Sequence, residues 1–400
     1  MNILFLTIVG INDISERGIY TDLMRYFKDQ GHQVFITCPK ERRLNLSTSI
    51  KHTDGIQILS VKTFNIQKTN LIEKGIGTIL IERQFLNAIK KHFGSIKFDL
   101  VLYATPPITF SKVIKYIKNK DKAKSYLLLK DIFPQNAVDL KMIKENGIIH
   151  RYFKQQEKKL YAISDHIGCM SQANMEYILK HNQIDSTKVE VNPNSLSPLD
   201  SANVSEKALV RERFGIPQSA VVFIYGGNLG KPQGIDFVIS VLDANVKNES
   251  VFFIIVGNGT EYGKLNNWLQ ATQPKNTLLM QGLPKQDYDI LLSACDVGLI
   301  FLDKKFTIPN FPSRLLSYQE CSMPVIAATD AATDLGEILM DNNFGKWSLF
   351  GDLDSFNNNL NLFLDPKVRK INGENGYEFM MKNYLVCHSY DIIMKKFEHV

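Results

Sequence analysis

Short, nearly unbroken apolar runs recur along this 400-residue chain and constrain its fold more than any other feature. Asn2–Val9 (NILFLTIV) is the first, and Ala220–Tyr225 (AVVFIY) and Val251–Val256 (VFFIIV) are the clearest later ones. A strand with one face in water alternates apolar and polar residues. A run that is apolar at every position needs cover on both faces, as in a parallel sheet between two layers of helices. The segments between the runs supply the helices. Gly18–Gln30 reads as one, stopped by Gly31, and His32–Cys38 (HQVFITC) follows as a strand. Strands are then expected at Ile56–Val61, Asp99–Tyr103, Ser125–Leu129 and His166–Ser171, with helices near Ile72–His92, Thr109–Lys118 and Arg151–Ile163. Strand, glycine loop, helix, strand is the opening of a Rossmann-like half.

The alternation pauses at Glu190–Ser195 and the polar run to Ser205, which read as a linker by their Pro, Asn and Ser content. A second series starts near Arg211. Its strands are Ala220–Tyr225, Val251–Val256, Thr277–Gln281, Asp296–Phe301 and Met323–Ala327, with a helix at Ile235–Leu242. Helices near Leu353–Phe363 and Tyr377–Phe397 close the chain. The expected division is a Rossmann-like domain at 1–195, a second at 196–375, and a C-terminal helix at 376–400 that packs back on the first. Two such halves are expected to place their strand ends across a cleft.

Charge separates the halves as well. Through Ser195 there are 29 Lys and Arg against 18 Asp and Glu, a net of +11; the remainder carries 18 against 23, a net of −5. The first half therefore suits an anionic partner. The basic residues lie among strand–helix alternations without a nucleic-acid recognition motif, so nucleic acid is not expected. The five cysteines, Cys38, Cys169, Cys295, Cys321 and Cys387, are widely spaced in apolar runs and read as reduced core thiols of a cytosolic protein. No metal-ligand spacing, signal peptide or transmembrane-length run is expected.

Candidate site residues fall at strand ends. The run after Tyr225 is Gly226-Gly227-Asn228-Leu229-Gly230-Lys231-Pro232-Gln233-Gly234, in which glycines admit a ligand close to the backbone and Lys231 supplies charge. Gly257-Asn258-Gly259 and Gly282-Leu283 end the next two strands. Thr307–Ala327 (TIPNFPSRLLSYQECSMPVIA) then reads as loop, helix, turn and strand. Pro312 suits a first helical turn, so the amides of Ser313, Arg314 and Leu315 are expected to lack intrahelical partners and to make an anion seat with the Arg314 guanidinium. Asn310 belongs to the same loop, and Leu315, Leu316 and Tyr318 are expected to be buried. In the first half, Gly10 either serves a ligand or only makes the turn. Asp131, in Lys130-Asp131-Ile132-Phe133-Pro134, is either a site residue at a strand end or a cap. Ser111–Lys124 (SKVIKYIKNKDKAK) places apolar residues at helical spacing with lysines on the other face, either a solvated surface or one that meets anionic lipid.

On these segments the chain resembles glycosyltransferase family 4, of the GT-B fold, particularly its bacterial surface-polysaccharide members that transfer N-acetyl-L-fucosamine. The segments are GIYTDLMRYFKDQGHQVFIT, KDIFPQNAV, FIYGGNLGKPQG, FIIVGNGTEYGKL and FPSRLLSYQECSMPVIA. The resemblance implies an acceptor-binding first domain and a nucleotide-sugar-binding second one. It implies transfer of an N-acetylated amino or deoxyamino sugar from a UDP-sugar, with retention and without a metal or other cofactor. The implied acceptor is a lipid-diphosphate-linked saccharide of capsule or O-antigen synthesis, met at the inner face of a bacterial plasma membrane. Many members hold the diphosphate with an Arg and a Lys where this chain has Asn228 and Gln233, and carry two glutamates where it has Pro309 and Ser317. Pro312-Ser313-Arg314-Leu315 matches the subgroup's own signature, so the charge role passes to Lys231 and Arg314. A histidine is common where Lys130 stands, which leaves Asp131 as the catalytic candidate of the first domain. The rival expectations are a nucleotide-sugar-binding subunit without catalysis and a GT-B sugar-nucleotide epimerase.

Overall fold

A computed structural model describes residues 1–66, 71–198 and 207–397. The part of the expected linker from 199 to 205 lies outside them. The chain forms two compact units, Met1–Ser197 with Val386–Val400, and Pro198–Leu385.

The first unit is an eight-stranded sheet in the order β3-β4-β2-β1-β5-β6-β7-β8. The strands are β1 Asn2–Leu6, β2 Gln33–Glu41, β3 Ser49–Thr53, β4 Ile56–Thr63, β5 Leu100–Ala104, β6 Lys124–Leu129, β7 His166–Cys169 and β8 Val189–Val191. All neighbours are parallel except the β3–β4 hairpin. The central strands β1, β5 and β6 are almost wholly buried, as their unbroken apolar runs require. Three strands were not expected from sequence: two here, β3 and β8, and the edge strand Gly345–Leu349 of the second unit. β3 (SIKHT) is a polar edge strand whose register depends on β4, and β8 (VEV) is three residues long inside the expected linker. Neither carries a hydrophobic period, so only their neighbours reveal them.

The second unit is a six-stranded, fully parallel sheet in the order β11-β10-β9-β12-β13-β14. Its strands are β9 Val221–Gly226, β10 Val251–Val256, β11 Thr277–Met280, β12 Val297–Phe301, β13 Val325–Thr329 and β14 Gly345–Leu349. One core binds Phe223, Phe253, Leu299 and Ile326 of the sheet to Phe237, Val241 and Phe356 of the helices. The fold is therefore α/β with two parallel-sheet domains.

The C-terminus differs from expectation. The single helix expected near Tyr377–Phe397 is two, Pro366–Asn383 and Val386–Met394, separated at Tyr384-Leu385. Residue 376 lies inside the longer helix, which stays with the second unit. Gly373 and Gly376 hold it there, since a Cβ on Gly373 would overlap the Ser322 carbonyl and one on Gly376 would press on Phe344. The last helix belongs to the first unit. Tyr390 packs edge-on against Tyr26 and Phe27, and Ser389 donates a 2.7 Å bond to Asn192 Oδ1. No helix among the described residues is long and apolar enough to cross a membrane.

Candidate functional site

Tyr318 organises the site in the second unit. It is fully buried in helix Arg314–Glu320, with its ring against Gly298 of β12, where any Cβ would overlap it. β9 and β12 pair only at Phe223–Val297 and Ile224–Gly298 before they part. The phenol fills the gap. Its oxygen stands 3.2 Å from the carbonyl oxygens of Ile224 and Leu299 and accepts a 3.3 Å bond from the Gly226 amide. So anchored, the helix lays Arg314 over the Tyr225 ring, 4.2 Å from its centre. A Cβ on Gly227, whose φ is 134°, would come within 3.1 Å of Arg314 Nη2, so the guanidinium lies against the glycine loop. Its Nη1 is buried and bonds to nothing among the described residues.

The surroundings leave that charge uncompensated. Burial pushes the phenols of Tyr225, Tyr288 and Tyr318 up, Tyr318 to about 12, so all three stay neutral at ordinary pH. Tyr288 was not singled out from sequence. Its hydroxyl is buried without a partner among the described residues and fills the space beside Gly226, where a Cβ would overlap it. The one sequence signal for it was a glycine at a strand end, which marks close approach by another group.

The glycine loops are built differently from expectation. Gly257 and Gly259 are required by the first loop rather than by a ligand: Cβ atoms there would overlap the carbonyls of Gly227 and Leu229. The two loops are bonded together, Gly227 N to Val256 O and Leu229 N to Asn258 O, each at 2.9 Å. Gly257 N donates in turn to Met280 O. Gln233 turns inward, its Oε1 accepting from Asn228 Nδ2 at 2.9 Å and from Gly230 N at 3.2 Å. Asn228 and Gln233 thus close the loop on itself. Lys231 stays exposed, and its ammonium makes no hydrogen bond or ion pair among the described residues. Gly282 lies under Asn258, whose Nδ2 would be 2.7 Å from a Cβ there, and Leu283 is half-buried beside it.

The expected anion seat is smaller than the sequence suggests. The helix starts at Arg314, with Pro312 before it and Ser313 as its cap, and the Leu315 amide is spent on Pro312 O at 3.2 Å. A seven-residue helix leaves little dipole to add, so the guanidinium is the main charge here. Asn310 serves the loop: its carbonyl accepts a 2.7 Å bond from Thr333 Oγ1. Ser317 is half-buried on the helix, while Leu315 and Leu316 are core.

In the first unit, Gly10 follows β1 in an exposed loop with ordinary clearance and no positive φ, so the turn does not demand glycine. Asp131 lies beyond the end of β6. Asn136 Nδ2 stands 2.8 Å from both of its carboxylate oxygens, and its amide bonds Thr105 Oγ1. It caps no helix, since the next one, Gln135–Asp139, is capped by Pro134. Lys130 is not beside that carboxylate. Its Nζ reaches inward, 3.2 Å from Asn192 O, into a small cavity lined by Tyr20, Leu23, Leu128, Asn194 and Ser389. Burial without a carboxylate partner lowers its pKa to about 7. The unfolded chain, with a lysine pKa near 10.4, binds the proton more readily than the folded one between those values, so this group makes stability rise with pH from about 7 to about 10. Lys130→Met is expected to raise the melting temperature clearly at about pH 6.5 and much less at about pH 10. Equal shifts at both values would rule out a buried charge as the cause.

The lysine-rich run forms helix Ser111–Asp121 and Lys122. Lys112, Lys115 and Lys122 are exposed. Lys118 is not part of that exposed face: its Nζ is held by Asp165 at 2.7 Å and by Ile163 O at 2.8 Å.

Two parallel sheets, each with its glycine loops and helices after the strand ends, define the GT-B type of α/β protein, and solved structures of that type match the whole chain. The structure of Anabaena HepE in complex with UDP aligns with a TM-score of 0.69 at 14% identity, over 100% of both chains. WaaG, a glycosyltransferase involved in lipopolysaccharide biosynthesis, aligns with a TM-score of 0.68 at 13% identity over 99% of this chain and 100% of its own. The sequence itself matches two family models, Glycosyltransferase Family 4 over residues 19–198 and Glycosyl transferases group 1 over residues 206–379. Among curated proteins, Probable glycosyltransferase WbjE of Pseudomonas aeruginosa is 24% identical over 290 residues, 70% of this chain and 68% of that one.

Proposed function

We propose that this chain is a glycosyltransferase that moves a sugar from a UDP-sugar to a lipid-diphosphate-linked saccharide in surface-polysaccharide synthesis. The observation that carries the donor half of this reading is Arg314, a half-buried cation with an unpaired Nη1, three neutral phenols around it and no carboxylate partner among the described residues. A forked donor so placed suits a diphosphate, and a diphosphate would supply the missing counter-charge. The two glycosyltransferase family models and the UDP complex of HepE point the same way. The acceptor class, an N-acetylated amino sugar as the moved group, and retention without a metal follow from the resemblance of the sequence segments. WaaG's role in lipopolysaccharide synthesis supports a saccharide acceptor.

In such a transfer the bond from the anomeric carbon to the phosphate oxygen breaks, positive charge grows on the sugar and negative charge on the departing diphosphate. Arg314 stabilises that negative charge, with Lys231 as a mobile second cation. Asp131, held by Asn136, orients the acceptor hydroxyl or the donor sugar. Asp131→Asn is then expected to lower turnover by tenfold or more, within the ~100-fold range of a positioned acid–base group, while donor affinity changes little. Wild-type turnover would make Asp131 a structural residue. Calorimetric titration with UDP, followed by a donor-hydrolysis assay, tests the whole reading. Absence of UDP binding would overturn it; UDP binding without turnover on any donor would leave a binding subunit.

A further inference from the structure

Lys130 is a cation without a counter-charge. Its Nζ makes one hydrogen bond among the described residues, to Asn192 O. An ammonium has three donors, so two remain for the cavity that Lys130 lines. Asn192 is a fixed platform, because the rest of it is spent. Its amide donates to Cys169 O, its Nδ2 donates to the Tyr126 hydroxyl, and its Oδ1 accepts from Ser389.

The charges on the surrounding elements are engaged elsewhere. The Asp131 carboxylate is held by Asn136. Glu190 accepts from Tyr126 at 2.9 Å and pairs with Lys396 of the last helix at 2.9 Å. Asp22, in helix Ile19–Asp29, accepts from the amides of Gly18 and Ser197 and pairs with Arg25. Burial pushes the Tyr20 and Tyr126 phenols and the Cys169 thiol up, Cys169 to about 12, so these groups stay neutral.

The cavity wall adds polar groups that lack partners. Asn194 is 8% exposed, its Oδ1 is buried, and its side-chain amide makes no hydrogen bond among the described residues. With neither end engaged, that amide can turn its Nδ2 toward an anion. Ile19 and Tyr20 line the cavity from the first turn of their helix, which no side chain caps. Ser195 completes the wall, and every one of these residues belongs to the first unit.

We propose that this cavity is an anion site built by the first unit alone, which takes one oxygen of a phosphoryl group between Lys130 Nζ and the Asn194 amide. The anion supplies the missing counter-charge and keeps the proton on Lys130, so binding takes up a proton wherever the empty site is neutral. Two sources share this chemistry, inorganic pyrophosphate and the diphosphate of a lipid-linked saccharide. The second source rests on the acceptor proposed above; the site itself does not.

The test is calorimetric titration with inorganic pyrophosphate at pH 8, in two buffers of different protonation enthalpy. It is done in the Arg314→Ala chain, so that the donor site does not contribute and the result stands whether or not UDP binds there. With a Lys130 pKa of about 7, the empty site lacks about 0.9 of a proton at this pH. The chain with Lys130 should therefore take up about 0.9 proton more than one carrying Lys130→Arg, whose charge is permanent. Lys130→Arg should still bind pyrophosphate. Lys130→Met and Asn194→Asp should each bind it at least tenfold more weakly, and Lys130→Met in the otherwise native chain should leave UDP affinity unchanged. A short-prenyl diphosphate sugar that competes with pyrophosphate and takes up the same proton would support the site and identify the acceptor as its source. Binding of pyrophosphate without competition by that compound would support the site and assign it to the inorganic anion. No pyrophosphate binding, equal binding by Lys130→Met, or equal proton uptake with Lys130 and with Lys130→Arg would overturn the proposal.

Discussion

Arg314→Ala is expected to weaken UDP binding by about thirtyfold, the equivalent of roughly 2 kcal/mol for a charge-assisted hydrogen bond, and to lower turnover at least as far. The expectation follows from what the guanidinium lacks. It lies over Tyr225, beside Gly227, with a buried Nη1 that has no partner among the described residues, so the protein itself does not consume its charge. A lysine at the same place keeps the charge but loses the plane and the fork, so Arg314→Lys should recover only part of the affinity. Two measurements separate this from a packing role. Without ligand, Arg314→Ala should melt within a few degrees of the native chain, since a lost cation–π contact is worth only about 1 kcal/mol. With UDP in excess, the native chain should gain melting temperature and the variant should gain much less. A large fall without ligand, accompanied by an unchanged UDP dissociation constant, would make Arg314 a structural residue.

The parts of this site that sequence made legible are those with a local chemical signature. Continuous apolar runs fix the central strands, because only burial on both faces tolerates them. Glycine after a strand and arginine after proline mark where the loops gather. What stayed hidden depends on partners far away in the chain. Nothing near Gly298 tells that Tyr318 will lie on it, and nothing near Gly226 tells that Tyr288 will. Asn228 and Gln233 stand at positions where the resemblance suggested ligand contacts, yet an amide pair five residues apart can satisfy itself, and here it does. Lys130 shows the same limit: its sequence place beside Asp131 says nothing of its direction, and it turns inward to Asn192. The polar edge strand β3 and the division of the last helix are illegible in sequence for a related reason, since one takes its register from a neighbour and the other is split by packing on two different units.

Gly257→Ala should destabilise the second unit by about 3 kcal/mol, the upper part of the usual range for overpacking, and abolish UDP binding with it. A methyl group at 257 would overlap the carbonyl oxygen of Gly227, and both partners are backbone, so no rotamer relieves the clash. The loops must part. Parting breaks the bonds from Gly227 N to Val256 O and from Leu229 N to Asn258 O, and shifts Gly227 away from the Arg314 guanidinium. At roughly 2–4 °C per kcal/mol for a unit of this size, the melting temperature should fall by about 10 °C. Two other glycines serve as controls because their surroundings differ. A methyl group added at Gly263, in helix Tyr262–Thr272, would meet nothing within 4 Å, so Gly263→Ala should leave stability unchanged or raise it by up to about 1 kcal/mol. Gly10 meets only the Pro39 carbonyl at an ordinary 3.6 Å, so Gly10→Ala should fold normally, and any loss of activity there would report on ligand rather than on the turn. If Gly257→Ala melted with the native chain and bound UDP equally well, the interlocked loops would not be what holds Gly227 against Arg314, and the arginine helix alone would position the guanidinium.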